Sequence, residues 1–453
     1  MSLDVVILAA GQGSRMRSKL PKVLHQIGGK PMVAHVIDAA DTLPDSRIHV
    51  VVGHGAEQVE QALAGRGVSF ARQTEQKGTG HAVAQTLEQI GDGAVLILYG
   101  DVPLIAPHTL AAMVEKVSPA TLSLLTVMLD NPYGYGRIVR DAEQRVTGIV
   151  EEKDATDEQR SITECNTGIL ATTGAQLKRW LPALSSDNAQ GEYYLTDIIA
   201  MAASEGVTID TYQPAAAFEV QGVNDRVQLA ALERCHQAVK VDAIMRAGAT
   251  VADPARVDIR GELTVGQDVL IDINCVFEGQ VTLGDGVAIG PGCIIRNATI
   301  GANTQVDAYS VIDDAQVDGA NAIGPFARLR PGAELREGAK VGNFVEIKKA
   351  VLGKGAKVNH LSYIGDADVG ERVNVGAGSI TCNYDGVNKS RTVLGDDVFI
   401  GSNTALVAPV KVGDRSTTAA GSVITSDVAD DTLAIGRARQ VVKAGWKRPT
   451  KRQ

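Results

Sequence analysis

Between Val317 and Ile347 an aliphatic residue stands at every sixth position: Val317, Ile323, Leu329, Leu335, Val341 and Ile347. The same spacing occurs earlier as Leu283, Ile289 and Ile295. It recurs later as Leu352, Val358 and Ile364, and again as Leu394, Ile400, Leu406 and Val412. A glycine often follows, as at Gly284, Gly290, Gly324, Gly342, Gly353, Gly365, Gly395, Gly401 and Gly413. A period of six fits neither a helix, which repeats every ~3.6 residues, nor one long strand, which alternates every ~2. It fits a triangular coil of about 18 residues, with one short strand per side, one inward aliphatic per strand and a turn at each corner, the coils stacking roughly 4.8 Å apart. An ordinary β-sandwich does not produce six such positions in unbroken register.

The first half is patterned differently. Residues 5–10 form an apolar run of the kind a buried parallel strand shows, and it leads into Gly11-Gln12-Gly13-Ser14-Arg15-Met16. Residues 48–52, 94–99 and 122–129 are further predicted strands, alternating with helical stretches such as 82–90. This predicts a doubly wound, Rossmann-like α/β domain. Ligands in such sheets bind beyond the carboxyl ends of the strands, where residues 11–15 and Gly100-Asp101 fall. Residues 226–245 read as a helix with Leu229, Leu232, His236, Val239 and Ala243 along one seam, ended by Gly248 and Pro254. His236 is taken as a surface or seam residue, not a ligand. The expected layout is a nucleotide-handling domain over 1–226, a helical linker over 227–247 and a β-helix over 248–453, and a chain of 453 residues suits two domains.

Composition narrows the classes. The 48 glycines, with only 4% aromatics, point to tight turns and small aliphatic packing. A net charge of −9 removes any bulk-charge argument for nucleic acid. The basic tail Trp446-Lys447-Arg448-Pro449-Thr450-Lys451-Arg452 reads as a solvated end. Cys165, Cys235, Cys275, Cys293 and Cys382 are odd in number and form no CxxC pair, which argues against disulfides or zinc and for a reducing compartment. Met1-Ser2-Leu3-Asp4 has no basic leader, and no apolar stretch reaches the ~18 residues of a membrane span. The expectation is a cytoplasmic protein without membrane insertion.

The glycine loop has the form GxGxxR, neither a Walker loop nor a full dinucleotide fingerprint. Taken alone it fits a plain strand-to-helix turn as well as a phosphate loop. Arg15 and Lys22 can converge on a polyphosphate whose oxygens also meet loop N–H groups. Asp101 can supply a hard oxygen to Mg²⁺ or cap its own turn. In the second half His360 breaks a run of small aliphatics, and an imidazole titrates near neutrality. It can serve as a base for an amine attacking a thioester directly, or it can be structural. Arg328 and Arg330 flank inward Leu329, and Lys348 follows inward Ile347, an arrangement suited to an anionic ligand or to a solvated face. Thr381-Cys382-Asn383-Tyr384-Asp385-Gly386 is a polar excursion from the repeat, as site loops are; Cys382 is read as a bystander.

The six-residue pattern resembles the hexapeptide-repeat acyltransferases, which implies a left-handed parallel β-helix, a homotrimer and active sites between subunits. The first half resembles the sugar-nucleotide pyrophosphorylases. It does so through residues 8–16, Pro21-Lys22, Gln73, Gly78-Thr79-Gly80-His81-Ala82, residues 99–104, Tyr135-Gly136-Arg137-Ile138, residues 151–155, Asn166-Thr167-Gly168, residues 191–197 and Val223-Asn224-Asp225. Ser14 replaces the Thr common there and keeps the hydroxyl. Together the halves resemble the bacterial family of bifunctional N-acetylglucosamine-1-phosphate uridyltransferases and glucosamine-1-phosphate N-acetyltransferases.

The resemblance implies that the C-terminal domain acetylates glucosamine 1-phosphate from acetyl-CoA. The N-terminal domain then couples N-acetylglucosamine 1-phosphate to UTP with Mg²⁺, releasing pyrophosphate. It assigns the nucleotide to Leu8, Ala9, Ala10, Gly11, Gln73, Gly78, Thr79 and Gly100, its triphosphate to Arg15 and Lys22, the sugar to Tyr99, Gly136, Glu151 and Asn166, and the metal to Asp101 and Asn224. In the second half it assigns the base to His360, the sugar phosphate to Arg330, Lys348, Tyr363 and Asn374, and acetyl-CoA to Ala377 (through its backbone), Asn383, Tyr384, Ser402, Ala420 and Arg437. The alternatives are a single-activity nucleotide-sugar pyrophosphorylase with a structural, trimerising β-helix, and a non-enzymatic assembly scaffold. His360, Lys348 and the Asn383-Tyr384 loop speak against the first. Acetyl transfer by residues 248–453 alone would exclude the second.

Overall fold

The computed structural model describes residues 3–451; Met1 and Ser2, at the start of the Met1–Asp4 stretch, and Arg452 and Gln453, at the end of the basic tail, lie outside the described residues. By packing, the chain forms two units, one ending at His236 and the other beginning at Gln237.

The first unit is built on a nine-stranded mixed sheet: β1 (Leu3–Ala9), β2 (Ser46–Val52), β3 (Ser69–Arg72), β4 (Ala94–Tyr99), β5 (Thr121–Met128), β6 (Arg137–Arg140), β7 (Val146–Val150), β8 (Glu164–Thr173) and β9 (Thr208–Tyr212). The order is β9-β5-β8-β4-β1-β2-β3, with β6 and β7 as a hairpin on β8. Central β1 pairs in parallel with β2 and β4, while β8 runs antiparallel between β4 and β5. The apolar run predicted at residues 5–10 has a simple cause, since both faces of β1 are covered. Val5 and Ile7 pack with Val33, Val36 and Ile37 of the helix Met32–Asp41 and with Leu110 and Met113. Val6 and Leu8 face the other way, toward Leu177, Trp180, Ile198 and Ile199. The predicted helix over 82–90 is shorter: it spans Thr79–Ala84 and then breaks into turns. There the Thr86 hydroxyl donates to the Val83 carbonyl (2.8 Å), a local bond that competes with helix continuation.

The second unit is a parallel β-helix. An 11-stranded sheet makes one face, and a 15-stranded assembly bends round the other two. Every aliphatic predicted to point inward is buried, with Ile323, Leu329, Leu335, Ile347, Leu352, Val358, Ile400 and Val412 at 0% exposure. The register between coils advances by 17 residues (Val311 to Arg328) or 18 (Ala315 to Ala333), by 16 at the last coil (Thr417 to Leu433), and by 25 across one long coil (Ala367 to Thr392). The long coil holds the polar excursion of residues 381–386. Stacking is close enough to demand glycine at Gly342, where a Cβ would lie 2.0 Å from the Asn359 carbonyl oxygen of the next coil.

The helix Arg226–Ala247 contains the division between units. Leu232 packs with Met16, Ile27, Met32 and Val223 in the first unit. His236 lies against Gly28 and the His35 ring, as a seam residue should. The seam then turns: Val239 is 52% exposed and Ala243 is exposed, against expectation, because Gln237, Val241 and Ile244 take the inner face. Gln237 both accepts from the Ile259 N–H (2.7 Å) and donates to its carbonyl (3.1 Å), closing the backbone of the first β-helix coil.

Candidate active sites

In the first unit a cleft of about 300 Å³ opens beyond the carboxyl ends of β1 and β4. It is lined by Leu8, Ala9, Ala10, Gly11, Lys22, Gln73, Gly78, Thr79, Tyr99 and Asp101, together with Val23, Gln76, Ala82 and Glu192. Backbone bonds set its floor: the Gly100 N–H donates to the Leu8 carbonyl (2.9 Å) and the Gln73 N–H to that of Val52 (2.8 Å). Gln73 reaches the Gly78 carbonyl (3.1 Å) and the His81 ring (3.1 Å), while Gln76 donates to the Ala10 carbonyl (2.7 Å). Gln76 thus ties the entry to the glycine loop, while Gln73 holds the Gly78–His81 turn on the other side of the cleft.

At the mouth, the Lys22 ammonium pairs with the Asp101 carboxylate. Arg15 donates to the Asn224 side-chain oxygen (2.9 Å), and the Val223 N–H donates to the Asp101 carbonyl (2.9 Å), which brings the 223–224 segment beside Asp101. Two hard oxygens, from Asp101 and Asn224, suit Mg²⁺, which keeps most of its shell for water and phosphate. No group of three or more His, Cys, Asp or Glu among the described residues could cage a metal without such outside ligands.

Deeper in, β8 shifts register between Asn166 and Leu170. Gly168 at this bulge has φ +84°, and a Cβ there would lie 2.6 Å from the Tyr99 ring, so only glycine lets the ring sit over it. Asn166 donates through its N–H to the Gly136 carbonyl (2.8 Å), and its side-chain oxygen accepts from the Gly168 N–H (3.0 Å). The Glu151 carboxylate packs against Gly136 and accepts from the Thr196 hydroxyl (3.2 Å). Burial, with Asp154 and Asp197 nearby, raises the Glu151 carboxyl above its ordinary range. Burial likewise raises the Tyr99 phenol, so it remains a neutral donor.

In the second unit His360 and Asn343 are register partners on adjacent coils. Their side chains meet, His360 Nδ1 lying 2.8 Å from Asn343 Oδ1. Hydrogen bonds carry the same corner onward: Leu361 N–H to Asn343 O (3.1 Å), Gly378 N–H to His360 O (3.3 Å), Asn403 N–H to Ala377 O (2.7 Å) and Gly421 N–H to Ser402 O (2.8 Å). Ala377, Ser402 and Ala420 therefore line up along the corner that carries His360, and the Arg437 side chain lies against neighbouring Gly421. On the adjoining face Arg330 bonds Glu346 (2.7 Å) and, through its N–H, the Ile347 carbonyl (2.8 Å). Lys348 is in register with Gly365, over which the Tyr363 ring folds. Asn383 donates to the Asp366 carboxylate, tying the long loop to this face.

The full chain is 63% identical over 451 residues to a "Bifunctional protein GlmU" from Chromohalobacter salexigens, covering 100% of both chains. It is 60% identical to another from Marinobacter nauticus, covering 99% of each. Stutzerimonas stutzeri has a third at 58%, again over 100% of both. The chain belongs to the bifunctional GlmU family. Residues 5–159 match the MobA-like NTP transferase domain, and residues 263–297 and 391–426 match the bacterial transferase hexapeptide repeat. This GlmU relative is a bifunctional transferase, with a nucleotidyltransferase domain ahead of a hexapeptide-repeat acetyltransferase domain.

The structure brings the predicted nucleotide residues into one cleft, with Gly100 in its floor and Arg15 and Asn224 at its mouth. It joins Tyr99, Gly136, Glu151 and Asn166 around the β8 bulge. It gathers His360, Ala377, Ser402, Ala420 and Arg437 along one corner, and Arg330, Lys348, Tyr363 and Asn383 on the next face. Asn374 is in register with Lys357, on the strand after His360's. The Tyr384 hydroxyl donates within its own loop, to the Gly386 carbonyl (2.5 Å). Sequence reasoning missed Gln76, Glu192, Asn343 and Glu346. Asn343 was legible, since it stands 17 residues before His360, one coil away. Glu192 lies in a quoted motif, but nothing in its spacing assigned it to the cleft.

Proposed function

We propose that the family's two reactions run at these two sites in sequence, acetyl transfer to glucosamine 1-phosphate in the second unit and uridylyl transfer to the product in the first. What supports the residue assignments is convergence: segments from Leu8 to Asn224 meet at one cleft whose cations are Arg15 and Lys22.

In the first site the sugar-phosphate oxygen attacks the α-phosphorus of UTP in line, and pyrophosphate leaves. Catalysis there is mostly positioning and charge stabilisation. Asp101 and Asn224 would hold Mg²⁺, which supplies charge neutralisation at the phosphates when bound. Arg15 and Lys22 bring further positive charge to the leaving group. Tyr99, Asn166 and Glu151 orient the sugar, with Glu151 free to accept from its hydroxyls or, when protonated, to donate.

In the second site His360 removes the ammonium proton of the glucosamine, and the amine attacks the thioester carbon of acetyl-CoA. A C–N bond forms, the C–S bond breaks, and the thiolate takes up a proton. Arg330 and Lys348 hold the anionic sugar phosphate. No cysteine nucleophile is needed, and burial pushes the Cys165 and Cys275 thiols up and that of Cys293 to about 12.

We also propose that the protein is a homotrimer. What supports this is an exposed apolar ladder on the His360 corner. Tyr309, Phe326 and Phe344 stack at 5.4 and 5.3 Å, and exposed Leu361 follows. A face of this kind favours burial against a second copy. The five free cysteines suit the cytoplasm, where UTP and acetyl-CoA are available, and no helix among the described residues is long and apolar enough to cross a membrane.

We assign residues 1–226, 227–247 and 248–453 as catalytic domain, arm and catalytic domain. Expressing residues 1–227 and 248–453 separately and assaying each by mass spectrometry tests the whole reading. Pyrophosphate release by the first piece and acetylation by the second are expected; acetylation by neither piece nor full chain would overturn it.

A further inference from the structure

We infer that Asn343 is a positioning residue for acetyl transfer, holding His360 in the Nδ1–H tautomer so that Nε2 carries the lone pair that takes the substrate proton. The inference rests on the reading of His360 as the base. Two neutral tautomers of an imidazole compete, and the hydrogen bond made by one nitrogen selects the form. Asn343 Oδ1, 2.8 Å from Nδ1, can only accept, so the proton sits on Nδ1. The backbone beneath is fixed on both sides. The Leu361 N–H bonds the Asn343 carbonyl, the Gly378 N–H bonds the His360 carbonyl, and Gly342 stacks on Asn359 with no room for a Cβ. The bond is not one rung of a repeated polar ladder, because the next position on this corner is Ala377.

A neutral amide does a different job from a carboxylate here. It fixes tautomer and ring orientation without adding a charge that would stabilise the imidazolium. The titratable groups on the elements around His360 are Lys340, Glu346, Lys348 and Lys349 of the coil before, Lys354, Lys357, Tyr363, Asp366 and Asp368 of its own coil, and Cys382 of the coil after.

The test uses the full chain with three variants, the pH profile of acetyl transfer and ¹⁵N-histidine NMR. Asn343→Ala should lower acetyl-transfer kcat about 10- to 100-fold, as loss of orientation does, with KM for acetyl-CoA and uridylyl transfer unchanged. Asn343→Asp should move the acid limb of the profile to higher pH by roughly one unit or more, because a carboxylate favours the imidazolium. This variant also decides the matter if Asn343→Ala fails to fold. The wild-type His360 resonances should show a protonated Nδ1. Unchanged kcat in Asn343→Ala with an unmoved acid limb in Asn343→Asp, or a protonated Nε2 in the wild type, would overturn the proposal. An inactive His360→Ala beside a normal Asn343→Ala would sink the positioning role alone, whereas an active His360→Ala would remove the base assignment beneath it.

Discussion

The two units place their chemistry by different means. In the first, the cleft is assembled from loops that leave a mixed sheet, and its parts come from positions as distant as Leu8, Gln73, Asp101, Glu151 and Asn224. In the second, coils mostly of 17 or 18 residues stack in register, so side chains one coil apart become neighbours automatically, as Asn343 and His360 do. A loop-built site gains freedom of geometry but needs many separate supports, among them Gln73, Gln76 and the Gly168 bulge. A repeat-built site needs little beyond register, and it confines its special residues to a corner and to one long loop. The units also differ in how damage should spread: local in a stacked helix, where each coil touches its neighbours, and general in a sheet whose central strand is covered on both faces.

The largest effect is expected at Asp101, proposed above to hold the metal. Asp101→Ala, or chelation of divalent metal in the wild type, should abolish UTP-dependent pyrophosphate release and leave acetyl transfer at its normal rate, read by assaying the two half-reactions side by side. Next, His360→Ala should cost acetyl transfer about 10²- to 10⁴-fold, the usual contribution of a positioned base, while uridylyl transfer proceeds as before.

A core deletion tests how damage spreads. Ile347 is fully buried in the aliphatic ladder, and Ile347→Ala should destabilise the second unit by about 2–5 kcal/mol. In urea titrations the acetyl-transfer signal should then fail at lower denaturant, with the uridylyl-transfer midpoint unmoved; parallel movement of both midpoints would mean that the units unfold together.

The smallest effect concerns Glu151. Its folded carboxyl holds a proton more tightly than an exposed one, so its stabilising contribution is complete at low pH and is lost as pH rises from the unfolded carboxylate range through the raised folded value. Glu151→Gln should therefore raise the thermal midpoint of the first unit modestly at neutral pH, with the gap closing as the pH is lowered into that range.

The same contrast explains what could be read from the chain. The β-helix was legible because each inward position, from Leu283 to Val412, repeats one physical requirement. The strand Leu3–Ala9 was legible because burial on both faces leaves only apolar residues. The turn of the linker seam at Gln237 was hidden because it depends on the Ile259 backbone, which no local periodicity encodes. The helix end at Ala84 was hidden for a similar reason, a threonine hydroxyl bonding back to a carbonyl. The cleft's membership came from family resemblance, since no spacing rule links Tyr99 to Gly168; their contact arises from a bulge in β8. Asn343 needed only the coil length and was overlooked because an asparagine at a corner looks like any turn residue.

The central claim is two independent sites working in order along one chain. The most direct measurement supplies the full-length protein with glucosamine 1-phosphate, acetyl-CoA, UTP and Mg²⁺ and follows every sugar phosphate by mass spectrometry, for Asp101→Ala, His360→Ala and their mixture. The account predicts that Asp101→Ala accumulates N-acetylglucosamine 1-phosphate, that His360→Ala leaves glucosamine 1-phosphate unconsumed, and that the mixture makes UDP-N-acetylglucosamine. Loss of both reactions in either variant, or a mixture that makes no nucleotide sugar, would contradict it.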